Sequence, residues 1–319
     1  MINETIILNQ LKDTIEKTNL PIPKKYEGKV RDNYFKDDKI IMVTTDRISA
    51  FDHVLGTVPF KGQILNQMAV FWFDKTKDII QNHLLDFPDP NVMVVQKCEP
   101  LPIEMVVRGY ITGSLWRDYS AGKREIYGLK LPEGLKKDQK FPSPILTPST
   151  KEDKGKHDMP ISKEEIISKG IINRAKYEAM EKTTLSLYAR GVEHAQKQGL
   201  ILVDTKYEFG TTPKGSLMLM DEIHTPDSSR YWIAKEYQKR FKTGVEQLML
   251  DKEKIRQWLI DEHGFSGYGK PPKLTSDIRT LISKKYIEAY EQVTGLKFEP
   301  EIGNVMERIT ENLKKGKYI

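Results

Sequence analysis

Apolar positions follow two rhythms along the chain. Ile6, Ile7, Leu11 and Ile15 recur at helical spacing and predict a helix over 3–19. The rhythm then turns to period two. Lys29 to Phe35 alternates, Lys36-Asp37-Asp38 reads as a turn, and Lys39 to Thr45 is rich in Ile and Val, which together predict a β-hairpin. Ile64, Leu65, Met68, Ala69, Phe71 and Trp72 give residues 63–80 an apolar helical face. Strands are expected at Asn91–Cys98 and Ile103–Tyr110, helix over 163–198, and a strand–turn–strand unit over Leu200–Phe209, Gly210–Ser216 and Leu217–Ile223. Further helices are expected around 229–240, 251–262, 276–293 and 300–315. Residues 130–160, rich in Pro, Lys and Gly, read as a long irregular loop, a kind that is usually functional in a compact protein. Strands joined by hairpins rather than by regular βαβ crossovers indicate an α+β fold. A change of character near residues 85–100 divides a small β-rich lobe, 1–95, from a larger lobe, 96–319.

Composition narrows the class. The 319 residues are 38% hydrophobic and 30% charged, enough apolar mass for a sizeable core and too much for a disordered chain. No apolar run approaches the roughly 18 residues of a membrane span. The N-terminus, Met1-Ile2-Asn3-Glu4, lacks the basic start of a secretory signal, so the expected compartment is the cytoplasm. The single cysteine, Cys98, excludes an intrachain disulfide and a multi-thiolate zinc site, and its apolar setting marks it as core. A net charge of +6 is mild, with Lys and Arg scattered among acids. A solvated surface explains it, and so does a groove for anionic ligands. No finger-type Cys/His spacing or aromatic-basic strip argues for a nucleic-acid partner.

The strongest chemical signal is Leu200-Ile201-Leu202-Val203-Asp204-Thr205-Lys206-Tyr207-Glu208-Phe209. At period two, Asp204, Lys206 and Glu208 share one face and Val203, Tyr207 and Phe209 the other. Three alternating ionisable groups in an apolar hairpin are costly to bury unless they bind something. The partner strand ends in Asp221-Glu222, and carboxylates beside a lysine suit a magnesium-nucleotide site, because magnesium takes one or two protein oxygens and the rest from phosphate and water. Cross-strand ion pairs on a solvated face would give the same pattern. A second cluster runs from Glu104 to Ser114, where an apolar strand leads into Arg108, two glycines and two hydroxyls. Arg108 offers a planar fork for phosphate or carboxylate, and Gly113-Ser114 opens a helix. A third is Gly28-Lys29-Val30-Arg31-Asp32, which has the look of a lid over phosphates. Thr45-Asp46-Arg47-Ile48-Ser49 puts acids, Arg and Ser at a strand end. Pro226-Asp227-Ser228-Ser229-Arg230 reads as a helix start, with Arg230 a further anion fork. The six histidines show no metal-ligand spacing, and His157-Asp158 in the long loop is the pair with most functional promise. Gly264 to Lys270 imitates a P-loop but is followed by Pro271, which carries no hydroxyl for magnesium and no N–H for phosphate.

Taken in order, GKVRDNY, DRISAFD, EMVVRGYITGSLW, TPSTK, LILVDTKYEFG, DEIHTPDSSRYW and KYIEAYEQVTG resemble the phosphoribosylaminoimidazole-succinocarboxamide synthase (SAICAR synthetase) family, in its longer monofunctional form. The matches span residues 28 to 295. The resemblance implies a two-lobed α+β fold with a small antiparallel β lobe like a kinase N-lobe, covering ATP, and a larger lobe with C-terminal helices. It implies an ADP-forming ligase that joins carboxyaminoimidazole ribonucleotide (CAIR) to L-aspartate, with ATP and Mg2+ and through an acyl phosphate.

Carried over residue by residue, Lys29 and Arg31 resemble contacts to the ATP phosphates, and Glu208 and Asp221 resemble magnesium-associated carboxylates. Glu104 and Val106 lie on the strand toward the nucleotide. Lys151, Lys206 and Asp204 flank the reacting groups. Arg108, Ser114 and Arg230 resemble ligands of the nucleotide substrate, as do His157 and Asp158 of the loop that approaches it. Asp46, Arg47 and Ser49 are expected to help hold aspartate. Thr45 stands where the family pattern leads one to expect Ser, and keeps the hydroxyl. The expected partners are small molecules, without nucleic acid or membrane, in a monomer or a small homo-oligomer. A kinase of a small phosphorylated metabolite on a similar fold is the alternative from the same residues.

Overall fold

Residues 31–44 form the hairpin that their alternation predicts. Arg31–Lys36 pairs antiparallel with Lys39–Thr44, and Lys36 lies opposite Lys39 across a turn in which Asp37 takes a φ of 54°. This is a computed structural model, and it describes residues 2–50, 53–151, 159–250, 258–260, 262–265 and 267–319. The chain divides into two units. The first comprises Met1–Phe73, His83–Lys97 and Asp251–Ile319; the second Asp74–Asn82 and Cys98–Leu250.

In the first unit, five antiparallel strands lie in the order Lys25–Glu27, Arg31–Lys36, Lys39–Thr44, Val92–Gln96, Leu84–Asp89. The helix Lys61–Thr76 buries Ile64, Leu65, Met68, Ala69 and Trp72. It abuts the sheet so closely that a Cβ on Gly62 would lie 2.4 Å from the Thr44 carbonyl oxygen. The N-terminal helix is shorter than expected. Asn3 caps Glu4–Gln10, a 3-10 turn follows at Leu11–Asp13, and the chain then extends because the Ile15 N–H is taken by the Asp46 carboxylate at 2.9 Å.

The largest difference from the sequence reading concerns the C-terminus. The helices Ser276–Thr294 and Val305–Lys315 belong to the first unit, not with the larger lobe. Val305, Ile309 and Leu313 share a core with Ile15, Leu20, Tyr34, Ile41, Val43, Val92 and Val94. The apolar stripe of that last helix predicts that it packs, but a stripe does not name its partner. Of the helix expected over 251–262, residues 251–257 and 261 lie outside the described residues.

The second unit is built on two long strands, Glu99–Tyr110 and Leu200–Thr211, paired antiparallel. Lys140–Leu146 and Ser149–Thr150 pair with the first, Leu217–Met220 and Ser229–Ile233 with the second. Two expectations fail here. The stretch 130–160 contains strands, because Lys140–Leu146 is an edge strand, where Pro142 and Pro144 are tolerated. Residues 229–233 are a strand, with the helix beginning only at Ala234. Tyr231 and Trp232 are buried there, and the pairing with Leu200–Thr205 overrides the helix-start look of Pro-Asp-Ser-Ser. The helix Arg174–Lys197, capped by Asn173, packs Tyr188 and Gly191 behind these strands. Among the described residues no helix is long and apolar enough to cross a membrane.

Candidate active site

The antiparallel register of the two long strands sets Glu208 opposite Glu104, Lys206 opposite Val106 and Asp204 opposite Arg108. Like charges directly across a sheet repel, and Lys206 resolves the conflict. Its Nζ lies 2.5 Å from Glu208 Oε1, 3.2 Å from Glu104 Oε1 and 3.8 Å from Asp221 Oδ2. Lys151 Nζ pairs with the other Glu208 oxygen, Oε2. Asp221 follows the strand Leu217–Met220 in the left-handed region, at φ 65°, a conformation that Asp tolerates better than most residues. Burial opposes the charge on Lys206, but Glu208, Asp221 and Glu104 together hold its pKa well above the ordinary lysine value. Burial likewise opposes the Glu208 charge, and Lys206 and Lys151 hold its carboxyl well below the usual range. Partial burial opposes the Lys151 charge, yet Glu208 raises its pKa. Lys206, Glu208 and Lys151 are therefore charged at neutral pH, a carboxylate between two ammonium groups.

One strand step away the charge reverses. Asp204 Oδ2 sits 3.5 Å from Arg108 Nη1 and 3.4 Å from Arg230 Nη1. Arg108 Nε donates to Thr147 Oγ1 at 2.8 Å and Nη2 to Ser114 Oγ at 3.3 Å. Ser114 stands in the first turn of the helix Gly113–Ser120. Gly113 has a φ of 58°, and a Cβ there would come within 2.7 Å of the Arg230 guanidinium, so the second arginine needs this glycine. Two guanidinium groups with one shared carboxylate leave a net positive pocket suited to a phosphate or a carboxylate.

Behind this face stands a second layer. The pairing of Leu200–Thr211 with Ser229–Ile233 shifts register between Leu202 and Asp204. The buried Tyr188 hydroxyl donates into that irregularity, 2.8 Å from the Leu202 carbonyl and 3.1 Å from that of Val203. Gly109 makes room, since a Cβ on it would lie 2.3 Å from the Tyr188 hydroxyl. On the same back face Tyr207 Oη and His224 Nε2 lie 2.5 Å apart, and burial pushes His224 down to a pKa of about 3.

The structure thus brings Glu104, Val106, Arg108, Ser114, Lys151, Asp204, Lys206, Glu208, Asp221 and Arg230 into one unit. Lys29 and Arg31 belong to the other unit, at the turn entering the strand Arg31–Lys36. Asp46 is buried there, its two carboxylate oxygens accepting the backbone N–H groups of Ile15 and Gly62, each at 2.9 Å. Arg47 is buried beside it, and Ser49 is half-buried in the short strand Arg47–Ala50. His157 and Asp158 lie outside the described residues. Thr147 opens the TPSTK stretch without a signal of its own, and Asp32 is read from sequence only as part of the Gly28–Asp32 cluster, with no role of its own. Sequence reasoning also missed Tyr188, which no local pattern marks.

The comparisons agree on one family. The SAICAR synthetase family pattern matches residues 24–270. A phosphoribosylaminoimidazole-succinocarboxamide synthase of Bacteroides fragilis is 53% identical over 293 residues, 90% of this chain and 93% of its own length. One of Flavobacterium psychrophilum is 48% identical over 309 residues, 94% of this chain and 98% of its own. Among solved structures, a SAICAR synthase from Saccharomyces cerevisiae complexed with SAICAR is 35% identical with a TM-score of 0.79, covering 90% of this chain and 100% of that one. A SAICAR synthetase in complex with ADP is 29% identical with a TM-score of 0.66, covering 87% of this chain and 100% of that one.

Proposed function

We propose roles for the individual residues from one premise: the chain belongs to the SAICAR synthetase family. Its activity is accordingly that of a ligase of de novo purine biosynthesis. The observation that carries the assignment of roles is the adjacency, on one face of two strands, of an acidic-lysine cluster and a two-arginine pocket.

The substrates are CAIR, L-aspartate and ATP. A carboxylate is a poor acyl donor because oxide would have to leave. A carboxylate oxygen of CAIR therefore attacks the γ-phosphorus of ATP, the bond to the β-phosphate oxygen breaks, and ADP departs. The amine of aspartate then attacks the acyl carbon, loses a proton, and phosphate leaves with the former carboxylate oxygen. Such a sequence needs alignment and charge neutralisation more than a covalent nucleophile. Arg108, Ser114 and Arg230 hold the anionic groups of CAIR, with Asp204 fixing the two forks relative to each other. Lys206 and Lys151 neutralise the transferring phosphoryl group, and Lys29 and Arg31 contact the ATP phosphates. Glu104 and Val106 line the nucleotide side of the same strand.

Among the described residues no group of three or more His, Cys, Asp or Glu is arranged to hold a metal ion by itself. Two carboxylates beside a lysine still fit an ion that takes its remaining oxygens from phosphate and water. Glu208 and Asp221 would hold that magnesium ion, which when bound screens the phosphate charge. Ser49 is kept as an L-aspartate contact, whereas Asp46 and Arg47 are engaged by backbone groups and are assigned to the framework.

Two measurements test these roles. With CAIR labelled by 18O in its carboxylate, one label per turnover is expected in inorganic phosphate, and unlabelled phosphate would overturn the acyl-phosphate route. Arg108→Lys is expected to raise the KM for CAIR by about tenfold or more, because lysine lacks the bidentate fork. An unchanged KM would remove Arg108 from the substrate pocket.

A further inference from the structure

Arg47 resembles a substrate ligand by sequence, but its surroundings give it another task. It is 3% exposed, and its guanidinium meets four protein acceptors. Nε donates to the Lys29 carbonyl at 3.0 Å, and Nη1 donates to the Glu16 carbonyl. Nη2 donates to the Gly28 carbonyl at 3.1 Å and to Asp32 Oδ1 at 2.9 Å. A guanidinium has five N–H donors, so too little remains for a fork onto a substrate carboxylate. Asp32, fully buried, balances the charge and is itself held by the Thr18 N–H at 2.8 Å, the Thr18 hydroxyl at 2.7 Å and Lys25 Nζ at 3.0 Å.

Two of the three carbonyls engaged by Arg47, those of Gly28 and Lys29, belong to the turn that carries Lys29 and Arg31. The rest of that turn is fixed as well. The Val30 carbonyl accepts the Thr45 N–H at 3.0 Å and the Thr45 hydroxyl at 2.8 Å. The Gly28 N–H closes the turn onto the Arg31 carbonyl at 2.8 Å. Every carbonyl from Gly28 to Arg31 thus has a fixed donor, and two of the four depend on one side chain.

We propose that Arg47 is a positioning residue for ATP. It clamps the Gly28–Arg31 turn so that Lys29 and Arg31 are held ready for the nucleotide phosphates, and it rests on the assignment of those two residues to ATP. Holding the turn in one arrangement before binding removes an ordering cost from the nucleotide's affinity. Lysine cannot replace arginine here, since one ammonium group cannot reach carbonyls of Glu16, Gly28 and Lys29 together with Asp32.

The test is steady-state kinetics of the full chain, with each substrate varied in turn, for Arg47→Lys, Thr45→Val, Lys29→Ala and wild type. Arg47→Lys is expected to raise the KM for Mg-ATP by about tenfold, from buried carbonyls left unmet, while the KM values for CAIR and L-aspartate stay put. Thr45→Val keeps the backbone bond to Val30 and loses only the hydroxyl, so a smaller rise in the same KM is expected. It carries the test if Arg47→Lys fails to fold. An increase in the L-aspartate KM instead would make Arg47 a substrate ligand and overturn the inference. If Lys29→Ala raises the ATP KM while folded Arg47→Lys and Thr45→Val leave it unchanged, the clamp is wrong and the Lys29 assignment stands. If Lys29→Ala itself leaves the ATP KM unchanged, the Lys29 assignment fails and the clamp with it.

Discussion

Each unit contains a cluster of charges, and the two clusters are solved in opposite ways. Around Asp32 the carboxylate is fully buried, and Arg47, Lys25 and Thr18 meet it with short hydrogen bonds. Arg47 directs its other donors at backbone carbonyls. Around Glu208 the cluster reaches the surface. Glu104, Glu208 and Asp221 face Lys151 and Lys206, and the Lys151 side chain is 42% exposed. A closed, backbone-directed network fixes a conformation. A partly exposed cluster of carboxylates and ammonium groups beside an arginine pocket is the arrangement that the proposed charged ligand would use. On the proposed roles, the same residue types serve architecture in one unit and chemistry in the other.

The sharpest way to break that contrast is to remove one carboxylate from each. Asp32→Ala leaves Arg47 and Lys25 without their buried counter-charge and is expected to cost about 3–5 kcal/mol of stability, read by urea unfolding. Glu208→Gln is nearly isosteric and leaves Lys206 with Glu104 and Asp221. Its stability loss is expected to be smaller, while kcat falls on the order of a hundredfold, as for other charge-aligning groups. If Glu208→Gln destabilises as much as Asp32→Ala and keeps its turnover, the open cluster is architecture as well.

Sequence alone shows one side of this contrast and hides the other. Period-two placement of Asp204, Lys206 and Glu208 is a local property, so the charged face of that strand is readable from the residues. Whether a charged residue faces a ligand or a carbonyl is a property of distant chain segments. Arg47 and Asp46 look like ligands for that reason, although Glu16, Gly28, Lys29, Ile15 and Gly62 engage them. The strand Ser229–Ile233 is mistaken for helix because capping residues precede it, and only its pairing with Leu200–Thr205 decides the matter. The home of the C-terminal helices is likewise a long-range packing fact.

Acid sharpens the comparison at a smaller scale, because each unit buries one group whose titration opposes the other's. Burial, aided by His194, lowers His224 in the second unit from 6.5 to about 3. The unfolded chain takes up this proton below pH 6.5 while the folded chain refuses it, so stability present above 6.5 is lost as pH falls toward 3. Burial raises Asp46 in the first unit from 3.8 to about 6, against hydrogen bonds from Ile15 and Gly62. Here the folded chain keeps the proton, so the contribution is full below 3.8 and is lost as pH rises through about 6. His224→Asn, which tolerates the left-handed backbone at φ 56°, is expected to flatten the acid loss. Asp46→Asn is expected to steepen it between pH 4 and 6. Urea midpoints measured across pH 4–7 check both, and identical slopes in all three proteins would mean that neither group titrates differently on folding.

The smallest expected effect tests how finely the second unit is tuned from behind. Tyr188→Phe keeps the ring against Gly109 and removes only the hydroxyl that donates to the Leu202 carbonyl. A single hydrogen bond of this kind is worth about 1 kcal/mol, so global stability should fall little. Its place is what gives it leverage. The irregularity it fills lies just before Asp204, whose carboxylate spaces Arg108 and Arg230 at 3.5 and 3.4 Å. Irregular pairing next to a site serves to aim a side chain. Loss of the donor should therefore loosen the arginine pocket more than the lysine cluster. The expected outcome is a rise of about two- to threefold in the KM for CAIR, with kcat and the KM for Mg-ATP unchanged. If the CAIR KM does not move while stability drops by the expected amount, the two strands alone set the arginine spacing, and Tyr188 supports the sheet without tuning the pocket.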